Sequence, residues 1–176
     1  EFRLEKLKEM GINAFRCSHH PMAEELLSLC DHMGILVLNE IRKFGSSKEN
    51  LLQLRDLVKR DRTHPSVFMW SIGNEEVFVQ ENPISARSVR TMKSVIKKHD
   101  TSRPVTMAFC GWNGKFVFNS AKTFIPISEK LDVMGFNYMP DGWDEYHRLM
   151  PEQPILITEA TSNSGTRACY KTDEGT

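Results

Sequence analysis

A chain of 176 residues with 40% hydrophobic and 26% charged side chains can bury one substantial core and reads as one globular domain. Its 23 basic and 23 acidic residues cancel, so neither a nucleic acid nor an anionic membrane surface is expected as a partner, and the ligand should be neutral or small. No apolar stretch approaches the roughly 20 residues a membrane span needs, and no signal-peptide pattern opens the chain.

The chain starts at Glu1 inside a helical pattern, as though cut from a larger protein, so a cytoplasmic, periplasmic or secreted location all stay open. Leu4, Leu7 and Met10 fall three apart and predict a first helix over Phe2 to Met10, ended by Gly11. Asn13 to Cys17 follows as a strand. Pro21 suits the first turn of a second helix with Ala23, Leu26, Leu27, Cys30 and Met33 on its inner face, and Gly34 stops it before a buried strand at Ile35 to Leu38. A third helix carries Leu51, Leu52, Leu54, Leu57 and Val58 and leads to a strand at Val67 to Ile72. A fourth, about Ser85 to Lys98, precedes a strand at Val105 to Phe109. Then come a strand at Asp132 to Asn137, a short helix with Trp143, Tyr146 and Leu149, and a strand at Ile155 to Thr158. Cys17, Cys30, Cys110 and Cys169 form no C-x-x-C pair and read as buried thiols.

This alternation predicts an α/β fold with six parallel strands, each a continuous apolar run that should be covered on both faces. Arg16, Glu40, Asn74 with Glu75, Cys110, Asn137 with Tyr138, and Glu159 sit where strands end. A TIM barrel, (β/α)8, places its site at such ends but needs eight units, so residues 1–176 are expected to be an incomplete barrel of about six βα units. An open doubly wound sheet is the competing fold. It is disfavoured because no Gly-rich phosphate fingerprint follows any strand.

Cleaving a glycosidic bond takes a proton for the leaving oxygen and a carboxylate facing the anomeric carbon. Glu75 and Glu159 lie 84 residues apart, about three units, and would face each other across a closed ring. An ionised Glu159 beside a partly buried Glu75 should hold the latter protonated until a covalent intermediate removes that charge. Among 23 acidic residues such a pair is a weak signal; its neighbours make it specific. The stretch His64-Pro-Ser-Val-Phe-Met-Trp-Ser-Ile-Gly-Asn-Glu75 resembles the acid/base strand of glycoside hydrolase family 2, which holds β-galactosidases, β-glucuronidases and β-mannosidases. Arg16-Cys-Ser-His-His-Pro21 resembles the family's R-x-S-H-x-P signature, and Pro154-Ile-Leu-Ile-Thr-Glu159 its nucleophile strand.

The resemblance covers the chain from the helix before the family's second strand to just past its seventh. It implies a retaining exo-β-glycosidase with Glu75 as acid/base, Glu159 as nucleophile, Asn74 on the sugar 2-hydroxyl, Arg16 and Tyr138 bracing Glu159, and His19 at or just behind the substrate. Trp112 is a candidate sugar-stacking platform. Phe136-Asn-Tyr-Met-Pro140 and Thr158-Glu-Ala-Thr-Ser162 are nearest to β-galactosidase-like members, so a β-galactoside is the expected substrate, with β-glucuronide and β-mannoside as alternatives. Where family members bind magnesium, a Glu and a His shortly after the third strand hold it. Here that loop reads Glu40-Ile-Arg-Lys-Phe-Gly45 and does not match that ligand pair, so no metal and no cofactor is expected.

Other residues have plainer roles. Glu40 is expected to be structural, Phe15, Phe68, Met69 and Trp70 to be core, and Arg87, Arg90, Lys93, Lys97 and Lys98 to form a solvated helix face. His19 and His20 should point opposite ways and share no metal. Unpaired outer strands would pair with the remaining domains of a parent enzyme or with another copy of the chain. A non-catalytic carbohydrate-binding or scaffold fragment is the competing function.

Overall fold

The computed structural model describes residues 1–111 and 121–160. Helices and strands alternate: α1 Phe2–Glu9, β1 Ala14–Arg16, α2 Glu24–Met33, β2 Leu36–Glu40, α3 Lys48–Asp61, β3 Val67–Asn74, α4 Ala86–Lys97, β4 Val105–Phe109, α5 Ile125–Ser128, β5 Met134–Asn137, α6 Pro140–Leu149 and β6 Ile155–Glu159. The six strands make one sheet in the order β1-β2-β3-β4-β5-β6, every neighbouring pair parallel. The sheet curls until Arg16 at one edge touches Glu159 at the other, 2.7 Å between Nη1 and Oε1. This is an incomplete TIM barrel with its helices outside, as expected.

Local chemistry places the boundaries. Gly34 adopts φ 65° and ends α2 in the left-handed conformation open to glycine. The Ser47 hydroxyl caps α3 by accepting from Asn50 N at 3.2 Å. On α4, Val89, Met92 and Ile96 recur at helical spacing and are fully buried against the sheet. A side chain at Gly135 would put its Cβ 2.5 Å from the Met107 carbonyl, so only glycine lets β5 lie this close to β4.

The main core lies between sheet and helices, with Trp70, Phe109, Phe124, Phe136 and Tyr146 fully buried. A smaller cluster of Leu38, Met69 and Val133, with Phe68 and Leu156 packed on it, fills the inner face. Phe68 and Met69 therefore pack inside the curl, whereas Trp70 belongs to the outer core and donates its indole N–H to Asp100 Oδ2 at 2.9 Å.

Several expectations are corrected. Pro21 does not open the second helix; α2 starts at Glu24 with Ala23 as an exposed cap, and Met22 is the buried residue at that corner. Met10 is exposed rather than inward, because it sits past the last helical residue of α1. Full coverage fails at Leu36 of β2, 43% exposed where a buried strand is expected over Ile35 to Leu38, and at the edges: every residue of β6 is only half-buried and β1 carries none that is buried, since each edge strand has a single strand neighbour among the described residues. Lys93 and Lys97 are not free solvated charges, both reaching Asp132, at 2.6 and 3.3 Å. Cys17, Cys30 and Cys110 are buried free thiols, and Cys169 lies outside the described residues. No helix of the described residues is long and apolar enough to cross a membrane.

Candidate active site

Parallel strands deliver their last residues to one rim, and the polar residues that interrupt each apolar run meet there. Glu40, the last residue of β2, is fully buried. Its Oε2 accepts from Arg16 Nε at 3.2 Å, Arg16 Nη2 at 2.7 Å and Ser71 Oγ at 2.7 Å, and its Oε1 faces His19 Nδ1 at 3.0 Å. A buried carboxylate persists only with such pairing.

Arg16 has acceptors for all five of its N–H groups. Beyond the two bonds into Glu40, Nη2 donates to Asn74 Oδ1 at 2.8 Å, and Nη1 donates to Glu159 Oε1 at 2.7 Å and to the Thr158 carbonyl at 3.5 Å. Since both Nη2 hydrogens are engaged, the 3.2 Å contact between Nη2 and His19 Nδ1 is no donated bond. Nδ1 of His19 is instead the donor toward Glu40, which leaves Nε2 facing the cavity 3.6 Å from Glu159 Oε1. In the uncharged ring that nitrogen is an acceptor. His20 turns away, bonding to the Pro21 carbonyl at 2.9 Å and lying 3.6 Å from the Cys17 sulfur.

Asn137 joins the two halves of the site. Its amide nitrogen lies 2.9 Å from each of Asn74 Oδ1, Glu75 Oε1 and Glu159 Oε1. The Glu75 and Glu159 oxygens are therefore at most 5.8 Å apart, twice the 2.9 Å bond. The other Glu159 oxygen accepts the Tyr138 hydroxyl. Backbone geometry aims these groups: Glu75 has φ 51° and Tyr138 φ 60°, conformations unusual for residues with a Cβ and costly by about 1–3 kcal/mol each. Glu75 N is tied to the Ala108 carbonyl at 2.9 Å and Tyr138 N to that of Glu159 at 2.6 Å, which holds both turns.

The surroundings are dry on one side and open on the other. Glu159 keeps 23% and His19 34% of its side-chain surface exposed, while Arg16 keeps 10%. Burial pushes the Cys110 thiol up to about 12, with the negative charge of Glu75 and Glu159 adding to the shift, so it stays protonated beside the carboxyls. Burial likewise raises Glu76, opposed by a backbone N–H from Phe44 and by Arg42. Among the described residues no group of three or more His, Cys, Asp or Glu stands together to hold a metal.

Arg16, His19, Asn74, Glu75, Tyr138 and Glu159 thus converge, while Trp112 lies outside the described residues. Glu40 and Asn137, to which sequence motifs assign no role in the site, stand at its centre. The available signal for both was a polar residue closing an apolar strand, the same signal that marked Arg16.

The sequence profile of the glycosyl hydrolases family 2 TIM barrel domain matches residues 3–55 and 46–172. Beta-galactosidase BoGH2A of Bacteroides ovatus is 35% identical over 215 residues, covering 97% of this chain and 24% of that protein. A beta-glucuronidase of Canis lupus familiaris is 40% identical over 163 residues, covering 87% and 23%. Among solved structures, a family 2 glycosyl hydrolase from Bacteroides cellulosilyticus superposes with TM-score 0.76 at 32% identity, over 90% of this chain and 21% of that one. The chain spans about a quarter of the length of these curated relatives. It belongs to glycosyl hydrolases family 2, of whose TIM barrel domain it is a part.

Proposed function

We propose that residues 1–176 are strands two to seven of the catalytic barrel of a retaining exo-β-glycosidase, with β-galactosides as the first substrate class. The remaining strands and flanking domains would come from the rest of the protein. One observation carries the reading: the two candidate carboxyls present oxygens no more than 5.8 Å apart. That bound on the facing oxygens lies near the roughly 5–5.5 Å separation of retaining enzymes and below the roughly 6.5–9.5 Å of inverting ones, which supports retention.

In this reading a Glu159 oxygen attacks the anomeric carbon while the glycosidic C–O bond breaks and Glu75 passes its proton to the leaving oxygen. Water then gives a proton to Glu75, and its oxygen displaces Glu159 to release the sugar. Arg16 and Tyr138 hold the two Glu159 oxygens. Asn74 accepts from Arg16 and Asn137 through its Oδ1, which turns its NH2 toward the ligand, fit to donate to the sugar 2-hydroxyl. His19 Nε2 is placed to accept from another hydroxyl, and Trp112 would offer a face for the ring to stack on.

A β-glucuronide is the second reading, favoured by the Canis lupus familiaris relative and by a Bacteroides uniformis beta-glucuronidase structure with TM-score 0.75. Full-length protein should be assayed on aryl and alkyl β-galactoside, β-glucuronide and β-mannoside, alongside Glu75→Gln and Glu159→Gln. One sugar should be hydrolysed well above the others. Either amide variant working at near-parental rate on that sugar's alkyl glycosides would overturn the roles of the two glutamates.

A further inference from the structure

We infer that Asn137 is a positioning residue serving both carboxyls at once, so that one amide sets where the acid/base stands relative to the nucleophile. The inference deepens the glycosidase reading above and rests on it. Asn137 is fully buried at the end of β5, register-paired with Glu159 on β6, and reaches across to Glu75 beyond β3.

Its orientation has one solution. Thr158 Oγ1 lies 2.6 Å from Asn137 Oδ1 and can donate to it, while the nitrogen faces the oxygens of Asn74, Glu75 and Glu159 at 2.9 Å each. A flipped amide would aim its oxygen at the acceptors Asn74 Oδ1 and Glu159 Oε1. Two hydrogens then serve three acceptors, and the need is unequal. Asn74 Oδ1 and Glu159 Oε1 each have Arg16 as a second donor, at 2.8 and 2.7 Å. The Glu75 carboxyl has Asn137 as its side-chain donor among the described residues. Asn137 is therefore the group that ties Glu75 to the otherwise braced Glu159.

Leaving-group dependence exposes such a link, because kcat/KM reports bond cleavage to the glycosyl-enzyme. A 2,4-dinitrophenolate departs without a proton, so only the nucleophile matters. A methyl glycoside needs Glu75 as well. On full-length protein, Asn137→Leu should lower kcat/KM about 10-fold on the dinitrophenyl glycoside of the preferred sugar and about 100-fold or more on the methyl glycoside. Thr158→Val keeps the amide but frees its anchor; it should show the same pattern at smaller size, and it reports even where Asn137→Leu fails to fold. Two controls calibrate the readout: Tyr138→Phe, at the nucleophile, should cost both substrates alike, and Glu75→Gln should cost the methyl glycoside far more. Equal losses on both substrates for Thr158→Val or Asn137→Leu, or none, would overturn the shared role and leave the glycosidase reading standing. Wild-type protein that cleaves neither substrate would instead sink the reading, and this inference with it.

Discussion

At the N-terminal ends of the strands, Asp100 accepts from Trp70 Nε1 at 2.9 Å, Ser102 N at 2.9 Å, Ser102 Oγ at 2.6 Å and Arg103 Nη1 at 2.8 Å. Arg103 uses its other donors on the carbonyls of Arg62, His64 and Val67. At the C-terminal ends, Arg16 and Glu40 form a densely bonded pair, but among the described residues the groups around them keep bonding capacity in hand: the NH2 of Asn74, Nε2 of His19 and the second oxygen of Glu75. The non-glycine residues with positive φ among those described, Glu75, Tyr138 and Met139, also follow strand C-termini. Two rims of one sheet thus hold buried ions to different ends. One spends the bonds of its ion pair inside the fold and stabilises; the other tolerates strain and, among the described residues, leaves polar atoms for a ligand.

The largest test of that contrast removes the open rim's central charge. Glu159→Gln in full-length protein should lower kcat by about 10⁴-fold or more while the thermal midpoint stays within a few degrees, read by steady-state kinetics and calorimetry. Glu40→Gln should damage both properties, since it frees a buried Arg16: about 100-fold in kcat and roughly 3 kcal/mol in stability by urea titration. A loss of activity alone would make Glu40 part of the open rim. Asp100→Asn should cost about 3 kcal/mol with kcat unchanged, because its five bonds all stay inside the fold.

Acid titration sharpens the contrast further. Burial by itself would raise Asp100, but the donors Ser102, Arg103 and Trp70 outweigh it and hold the carboxyl well below the usual range. A depressed folded-state value means its stabilisation is complete above the unfolded value of about 3.9 and drains as pH falls toward the folded one. Unfolding free energy should therefore drop less steeply below about pH 4 in Asp100→Asn than in wild type. The smallest effect is chemical: Cys110, buried and pushed up to about 12, should resist iodoacetamide at pH 8 until the fold is opened by denaturant.

The strand positions were legible because a buried parallel strand is an uninterrupted apolar run, and in this chain those runs are bounded by Gly34, His64-Pro65, Pro104 and Pro154. Arg16, His19, Asn74, Glu75, Tyr138 and Glu159 were legible through family motifs that keep each beside a strand end. Pro21 misled because proline suits a helix's first turn and a bend before it equally well. The half-buried state of β1 and β6 was not legible because an edge strand and a central strand of a barrel have the same composition, and only the missing neighbour tells them apart.

By itself the amino-acid order determined the βα alternation, the rim that gathers the polar residues and the two glutamates on it, all of which depend on local pattern or short motifs. Only the tertiary structure decided that Asn137 touches both glutamates and that Glu40 anchors Arg16. The reason is physical: those contacts join residues 22 to 62 positions apart, and their distances are set by how tightly the sheet curls, a property no single strand contains.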